Sequence, residues 1–137
     1  MSASVRMGSI HEVIGEIKML HAERCRLAAR EAEPFRSLER SGVYAEDGPG
    51  SAKTMVRHVA KLSGPSAARQ RRIARAVEDL PLIGVALAEA RIGVDQVDLL
   101  GRVHANPRVR PFTADAQEWF LEMASKSFDE FETAIRE

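Results

Sequence analysis

Acidic residues are missing from one stretch of this chain, between Gly48 and Val77, although the 137-residue protein has a formal net charge of zero. That stretch, called the basic segment below, carries seven lysines and arginines and no aspartate or glutamate. Residues 1–47 hold 7 basic against 8 acidic side chains, and residues 78–137 hold 6 against 12. A neutral chain that separates its charges in this way has a directed electrostatic field. Such a field favours a polyanionic partner, most often nucleic acid.

Cysteine, aromatic residues and long apolar runs are also scarce. The single cysteine, Cys25, excludes an internal disulfide and predicts a reducing, cytoplasmic environment. Aromatic residues make up only 5% of the chain, and the apolar content is mostly Ala, Leu, Val and Ile, which suits helix packing better than a sheet sandwich. Charged residues interrupt the N-terminus, so we predict neither a signal peptide nor a membrane partner.

Motifs that carry catalysis are absent from the sequence as well. It contains no glycine-rich phosphate loop, no recognisable catalytic triad and no CxxC pair, so we predict that this chain is not an enzyme and uses no cofactor. His21 and Cys25 have a helical metal-binding spacing, but no third ligand lies near them in sequence, and no metal site is predicted. His104 precedes a proline loop and is expected to face the core beside a helix end, rather than to belong to a nuclease site.

Helical periodicity runs through the chain, and no segment alternates with the period of a strand. The clearest helix has an apolar stripe from Ile10 to Leu20 and is expected to break or kink at Pro34. We predict an all-α fold, a compact bundle of seven to eight helices that forms a single domain over residues 1–137. Its parts are a long N-terminal helix and kink over 1–38, a basic helical pair over 51–80, and C-terminal helices over 81–137. Among the C-terminal helices, Pro81 is expected to begin the first, Thr113 to cap a later one and Ser127 to cap the last.

The basic helical pair resembles a helix-turn-helix unit. Its first helix is predicted to run from a Ser51 cap to Leu62, with Met55, Val59 and Leu62 facing inward. A turn around Gly64 follows, and Pro65 or Ser66 is expected to open the second helix.

Two sets of basic side chains lie on the outer faces of these predicted helices, while Arg69 lies near the apolar side and is expected to pack or pair internally. If five or six of the outer residues contact phosphates, the log–log salt dependence of binding has a slope of about −4 to −5. The alternative is a solvated basic face that pairs with acidic neighbours. The predicted nucleic-acid-binding residues are Lys53, Arg57, Lys61, Arg71, Arg72 and Arg75.

Four runs of sequence resemble a known family. They are ERSGVYAEDGPGSA (39–52), ARAVEDLP (74–81), IGVDQVDLLGRVHANPRVR (92–110) and SFDEF (127–131). Together they are similar to the N-terminal helical domain of unknown function found in actinobacterial HNH endonuclease proteins. The resemblance implies an accessory domain that ends before a nuclease module. A divalent metal, zinc or magnesium, is then expected only in that downstream module.

Two functions follow as alternatives. The first is a non-catalytic DNA-binding or DNA-positioning domain of an HNH endonuclease-like protein, with DNA as the favoured nucleic acid. The second is a protein-interaction or dimerisation module of the same protein without nucleic-acid contact. In that alternative the stripe of Ile10, Ile14, Ile17 and Leu20 pairs with a partner helix in a homodimer.

Overall fold

Eight α-helices and no strand make up the residues that the computed structural model describes, which are 7–43 and 50–136, with side chains from Ser9 onward. The predicted all-α fold is therefore confirmed. The helices, in chain order, are α1 (Met7–Arg40), α2 (Ala52–Val59), α3 (Gly64–Asp79), α4 (Pro81–Ala88), α5 (Val94–His104), α6 (Arg110–Asp115), α7 (Gln117–Ala124) and α8 (Phe128–Arg136).

Helix α3 lies at the centre of the packing, in contact with α1, α2, α4 and α5. The main core is built from the middle of α1 and from α3, α4, α5, α7 and α8, and a smaller cluster joins α1 to α3 through Phe35 and Ala74. Gly101 brings α5 close to α3, because a Cβ atom there would lie 3.0 Å from the Arg72 carbonyl oxygen. The largest fully buried side chains of the main core are Leu80, Ile83, Leu87, Ile92, Val97, Leu100 and Phe131.

Of the break or kink predicted at Pro34, the break is wrong, because α1 continues through this residue to Arg40. Proline removes one backbone donor from the helix interior. Ala32 and Phe35, on either side of it, are both buried against α3, so tertiary packing holds the helix together across the missing hydrogen bond.

Helix α2 is shorter than predicted and differently oriented. It begins as expected, with the Ser51 hydroxyl accepting a hydrogen bond from the Thr54 amide at 3.2 Å, but it ends at Val59 rather than Leu62. Met55 and Val59 are exposed, so the prediction that they face inward is wrong. The spacing of apolar and basic residues predicts that α2 has one apolar face and one basic face. It does not determine which of the two faces packs against the other helices.

Two further helix starts differ from the prediction. Helix α3 begins at Gly64, with the Ser63 hydroxyl as its cap, so the turn ends one residue earlier than expected. Thr113 does not cap a helix but lies inside α6, fully buried. Pro81 does begin α4, and Ser127 accepts a hydrogen bond from the Glu130 amide at 3.3 Å at the start of α8, as predicted.

Candidate nucleic-acid interface

A groove of about 530 Å³ runs along the outer face of α3, between α1 and the start of α2 on one side and the end of α5 on the other. Ala68, Ala76 and Gly101 lie among its lining residues, and these small residues leave room for the long side chains around them. Asp79 is the one carboxylate in the lining, as far as the described residues show. The basic side chains that line the groove, called the groove cations below, are Arg36, Lys53, Arg71, Arg72, Arg75 and Arg110.

Glu39 of α1 lies under three of the groove cations. Its carboxylate accepts hydrogen bonds from Arg36 at 2.8 Å, from Arg71 at 3.1 Å and from Arg75 at 3.2 Å. Glu78 accepts from Arg36 at 3.0 Å and also pairs with Arg40. Charge-assisted bonds of this kind fix the direction of long side chains that would otherwise sample many rotamers.

Asp98 of α5 holds the other side of the groove in the same way. Its side chain is 12% exposed, and it accepts a hydrogen bond from Arg72 at 2.8 Å. Arg69 lies 3.8 Å from Asp98 and also pairs with Asp95, so the predicted internal role of Arg69 is confirmed. The carboxylates therefore order the arginines and cancel part of their charge.

Four of the six predicted nucleic-acid-binding residues meet in this groove, namely Lys53, Arg71, Arg72 and Arg75. Arg57 and Lys61 are exposed but lie outside its lining. Arg57 donates to the Leu62 carbonyl at 3.3 Å, and Lys61 adopts a left-handed backbone with φ 56° beyond the end of α2. The predicted stripe along one helix face therefore ends before Lys61.

Two groove cations were not predicted, because they lie outside the basic segment. Arg36 follows buried Phe35 on α1, and Arg110 begins α6. Arg110 donates to the carbonyls of His104 and Ala105, both at 3.1 Å, and so satisfies acceptors at the end of α5. The only hint in the sequence that Arg36 belongs to a binding surface is its position next to the aromatic residue Phe35. No feature of the sequence marks Arg110 as a binding residue.

His104 faces the core next to the groove, as predicted. Its ring is 5% exposed, with Nδ1 2.7 Å from the Thr113 hydroxyl and Nε2 3.1 Å from a carboxylate oxygen of Asp79. These bonds join the ends of α3 and α5 to α6. This histidine therefore helps to hold the groove wall in position.

His21 and Cys25 lie on one face of α1, with Nε2 3.5 Å from Sγ. Within the described parts of the chain, no three His, Cys, Asp or Glu side chains come together as metal ligands would. The Cys25 thiol is buried and contacts the Ile92 carbonyl at 3.7 Å. Burial raises the pKa of this thiol, against a smaller opposing effect of a backbone hydrogen bond from Val94.

Cys25 is therefore expected to react with a thiol reagent at least ~100-fold more slowly in the native protein than in denaturant, because reaction requires opening of the core. Because burial raises the pKa of the thiol above its value in the unfolded chain, the stability that the neutral thiol contributes is fully present below the unfolded-chain pKa. That contribution is lost as the pH rises through the higher folded-state pKa. Reaction kinetics at pH 8 measure the first effect. Equal rates in the two states would show that the thiol is accessible.

Comparison with known proteins adds no relative to this picture. The chain matches no protein-family model, no curated protein and no solved structure. The resemblance to the HNH-associated helical domain therefore stays a prediction. Along the two described stretches, no helix is both long and apolar enough to cross a membrane.

Proposed function

We propose that this chain binds nucleic acid, with DNA favoured, by holding backbone phosphates in the groove along α3. The observation that carries the proposal is the convergence of six basic side chains from α1, α2, α3 and α6 on one concave surface. Guanidinium groups suit phosphate oxygens because they donate two parallel hydrogen bonds. The chain would then act as a non-catalytic positioning domain of an HNH endonuclease-like protein, with cleavage assigned to another module.

The ion pairs change the number of charges available to DNA. Four of the six groove cations pair with three described carboxylates, Glu39, Glu78 and Asp98. Asp79 adds a fourth negative charge to the lining, so the net charge of the groove is about two. The expected salt slope is then about −2, smaller in magnitude than the −4 to −5 that the sequence predicts. Phosphate contacts of this kind position DNA without reading its sequence, so the expected binding is non-specific.

Lys53 offers the cleanest test of the groove. It lines the groove, and none of the described carboxylates forms an ion pair with it, so its replacement breaks no internal pair. In fluorescence anisotropy with a duplex of about 20 base pairs, Lys53→Glu is expected to weaken binding about 10-fold at low salt. Arg71, Arg72 and Arg75 are poorer choices, because their reversal would set two carboxylates against each other.

Lys126→Glu is the matched control for this experiment. Lys53 is half-buried and Lys126 is exposed. Lys126 lies between α7 and α8, away from the groove, so the same change of charge is expected to alter the affinity less than about 2-fold. Equal losses in the two variants would mean that only the overall charge matters. No binding by the unaltered protein at low salt would refute the proposal.

A further inference from the structure

Among the residues that the structure describes, the N-terminal half of α1 packs against no other helix. Every residue from Ile10 to His21 is exposed, and Cys25 is the first buried residue of α1 after them. Residues 10–20, called the arm below, extend roughly 16 Å along the helix axis. Their apolar stripe is 41–61% exposed and consists of Ile10, Val13, Ile14, Ile17 and Leu20.

The arm has a poor intrinsic tendency to be helical on its own. Four of its five stripe residues are β-branched. Gly15 lies on the opposite face, where an added Cβ would have no described atom within 4 Å apart from its chain neighbours and the backbone of its own helix. Short isolated helices are marginal in water even with better residues. A stripe of this kind is stabilised as a helix when a second apolar surface covers it.

The residue types in the stripe select the kind of partner. In a heptad frame, Ile10 and Ile17 take the a positions, and Val13 and Leu20 take the d positions. β-Branched residues at a with leucine at d favour a parallel pair of identical helices. Arg24 takes the next a position, so the seam ends where the body of the protein begins.

The charges beside the seam also favour a parallel pair. Glu16 takes a g position, and in a parallel dimer it faces the e position of the second copy, which is occupied by His21, a hydrogen-bond donor for a carboxylate. In an antiparallel pair with Ile10 opposite Leu20, the two copies of Glu16 would face each other across the two-fold axis. Like charges at that place oppose the antiparallel arrangement.

From these observations we infer that the arm forms a parallel two-stranded coiled coil with the arm of a second copy of this chain. The inference does not depend on the proposed nucleic-acid binding. Ten half-exposed side chains from two arms would bury on the order of 500 Å² of apolar surface, less than the ~1,200 Å² of a standard interface. The dimer is therefore expected to dissociate in the micromolar range.

Ile17→Glu tests the seam, and Met19→Glu is its control. The two residues are 61% and 59% exposed, but Met19 lies on the opposite face of α1, so both variants should fold alike. In sedimentation equilibrium, the unaltered chain and Met19→Glu are expected to shift from 15.1 kDa towards twice that mass as the concentration rises. Ile17→Glu is expected to weaken dimerisation at least about 100-fold, because it places a charge at a core position.

Cross-linking decides the direction of the pair. A Leu20→Cys variant is expected to form an intermolecular disulfide rapidly, because the d positions of a parallel pair face each other. The unaltered protein, whose single cysteine Cys25 is buried, is expected to form none on the same time scale. An antiparallel pair would separate the two introduced cysteines by roughly 15 Å and prevent the bond. The inference fails if the chain stays monomeric up to about 300 µM, if Ile17→Glu leaves a dimer intact, or if the Leu20→Cys dimer does not cross-link.

Discussion

Truncation of Phe131 to alanine is expected to lower the free energy of unfolding by about 3–5 kcal/mol. Phe131 is fully buried in the main core, where α8 packs on α5 and α7. Its removal takes away the transfer free energy of the ring and leaves a cavity that close-packed neighbours fill only in part. Urea denaturation followed by circular dichroism measures the loss.

Phe128 supplies the comparison within the same helix. It lies one turn earlier on α8 and is 40% exposed, so Phe128→Ala is expected to cost less than about 1 kcal/mol. A similar cost for both truncations would mean that α8 is not an integral part of the folded core. A large loss of unfolding free energy for Phe131→Ala alone would establish that α8 completes the folded core.

Replacement of Glu39 by glutamine is expected to tighten DNA binding about 3–10-fold and to steepen the salt slope by about one. The negative charge of the Glu39 carboxylate partly neutralises Arg36, Arg71 and Arg75. Glutamine lacks this negative charge but has almost the same size, so more of the arginine charge becomes available to DNA. The same change breaks a partly buried network, so stability is expected to fall by about 1–3 kcal/mol. Anisotropy titrations at several salt concentrations and urea denaturation measure the two effects.

The opposite signs of these effects make the experiment decisive. A variant that was merely less folded would bind more weakly, whereas the groove proposal requires a less stable protein that binds more tightly. Glu33→Gln is the matched control, since Glu33 is exposed on the same helix, and neither quantity should change much. Unchanged or weaker binding by Glu39→Gln would show that DNA does not contact the groove cations that Glu39 neutralises.

Local signals in the sequence predicted much of the fold. Ser51 and Ser127 cap helices, and Pro81 begins one, because each acts on backbone groups within a few residues. The outcome at Pro34 could not be predicted in this way. It depends on Phe35 packing against Ala74, a contact between residues far apart in the chain.

The candidate site was predictable only in outline. The basic segment pointed to Arg71 and Arg72 on one helix face, but their partners Glu39 and Asp98 come from other helices and could not be read from spacing. Arg36 lies outside the basic segment and joins its cations only because α1 packs beside α3, which the distribution of charge along the chain does not show. Lys61 lies outside the helix face predicted for it, because α2 ends at Val59 and the backbone of Lys61 is left-handed. Nothing in the composition of α2 indicates this early end.

The continuity of α1 has a geometric consequence. One uninterrupted helix joins Leu20, at the end of the arm, to Glu39 beside the groove, over a distance of about 28 Å. In a dimer joined at the arms, the two continuous α1 helices would therefore hold the two grooves at a fixed distance from each other. Affinity should then rise abruptly once a duplex is long enough to reach both grooves, and should stay almost constant beyond that length.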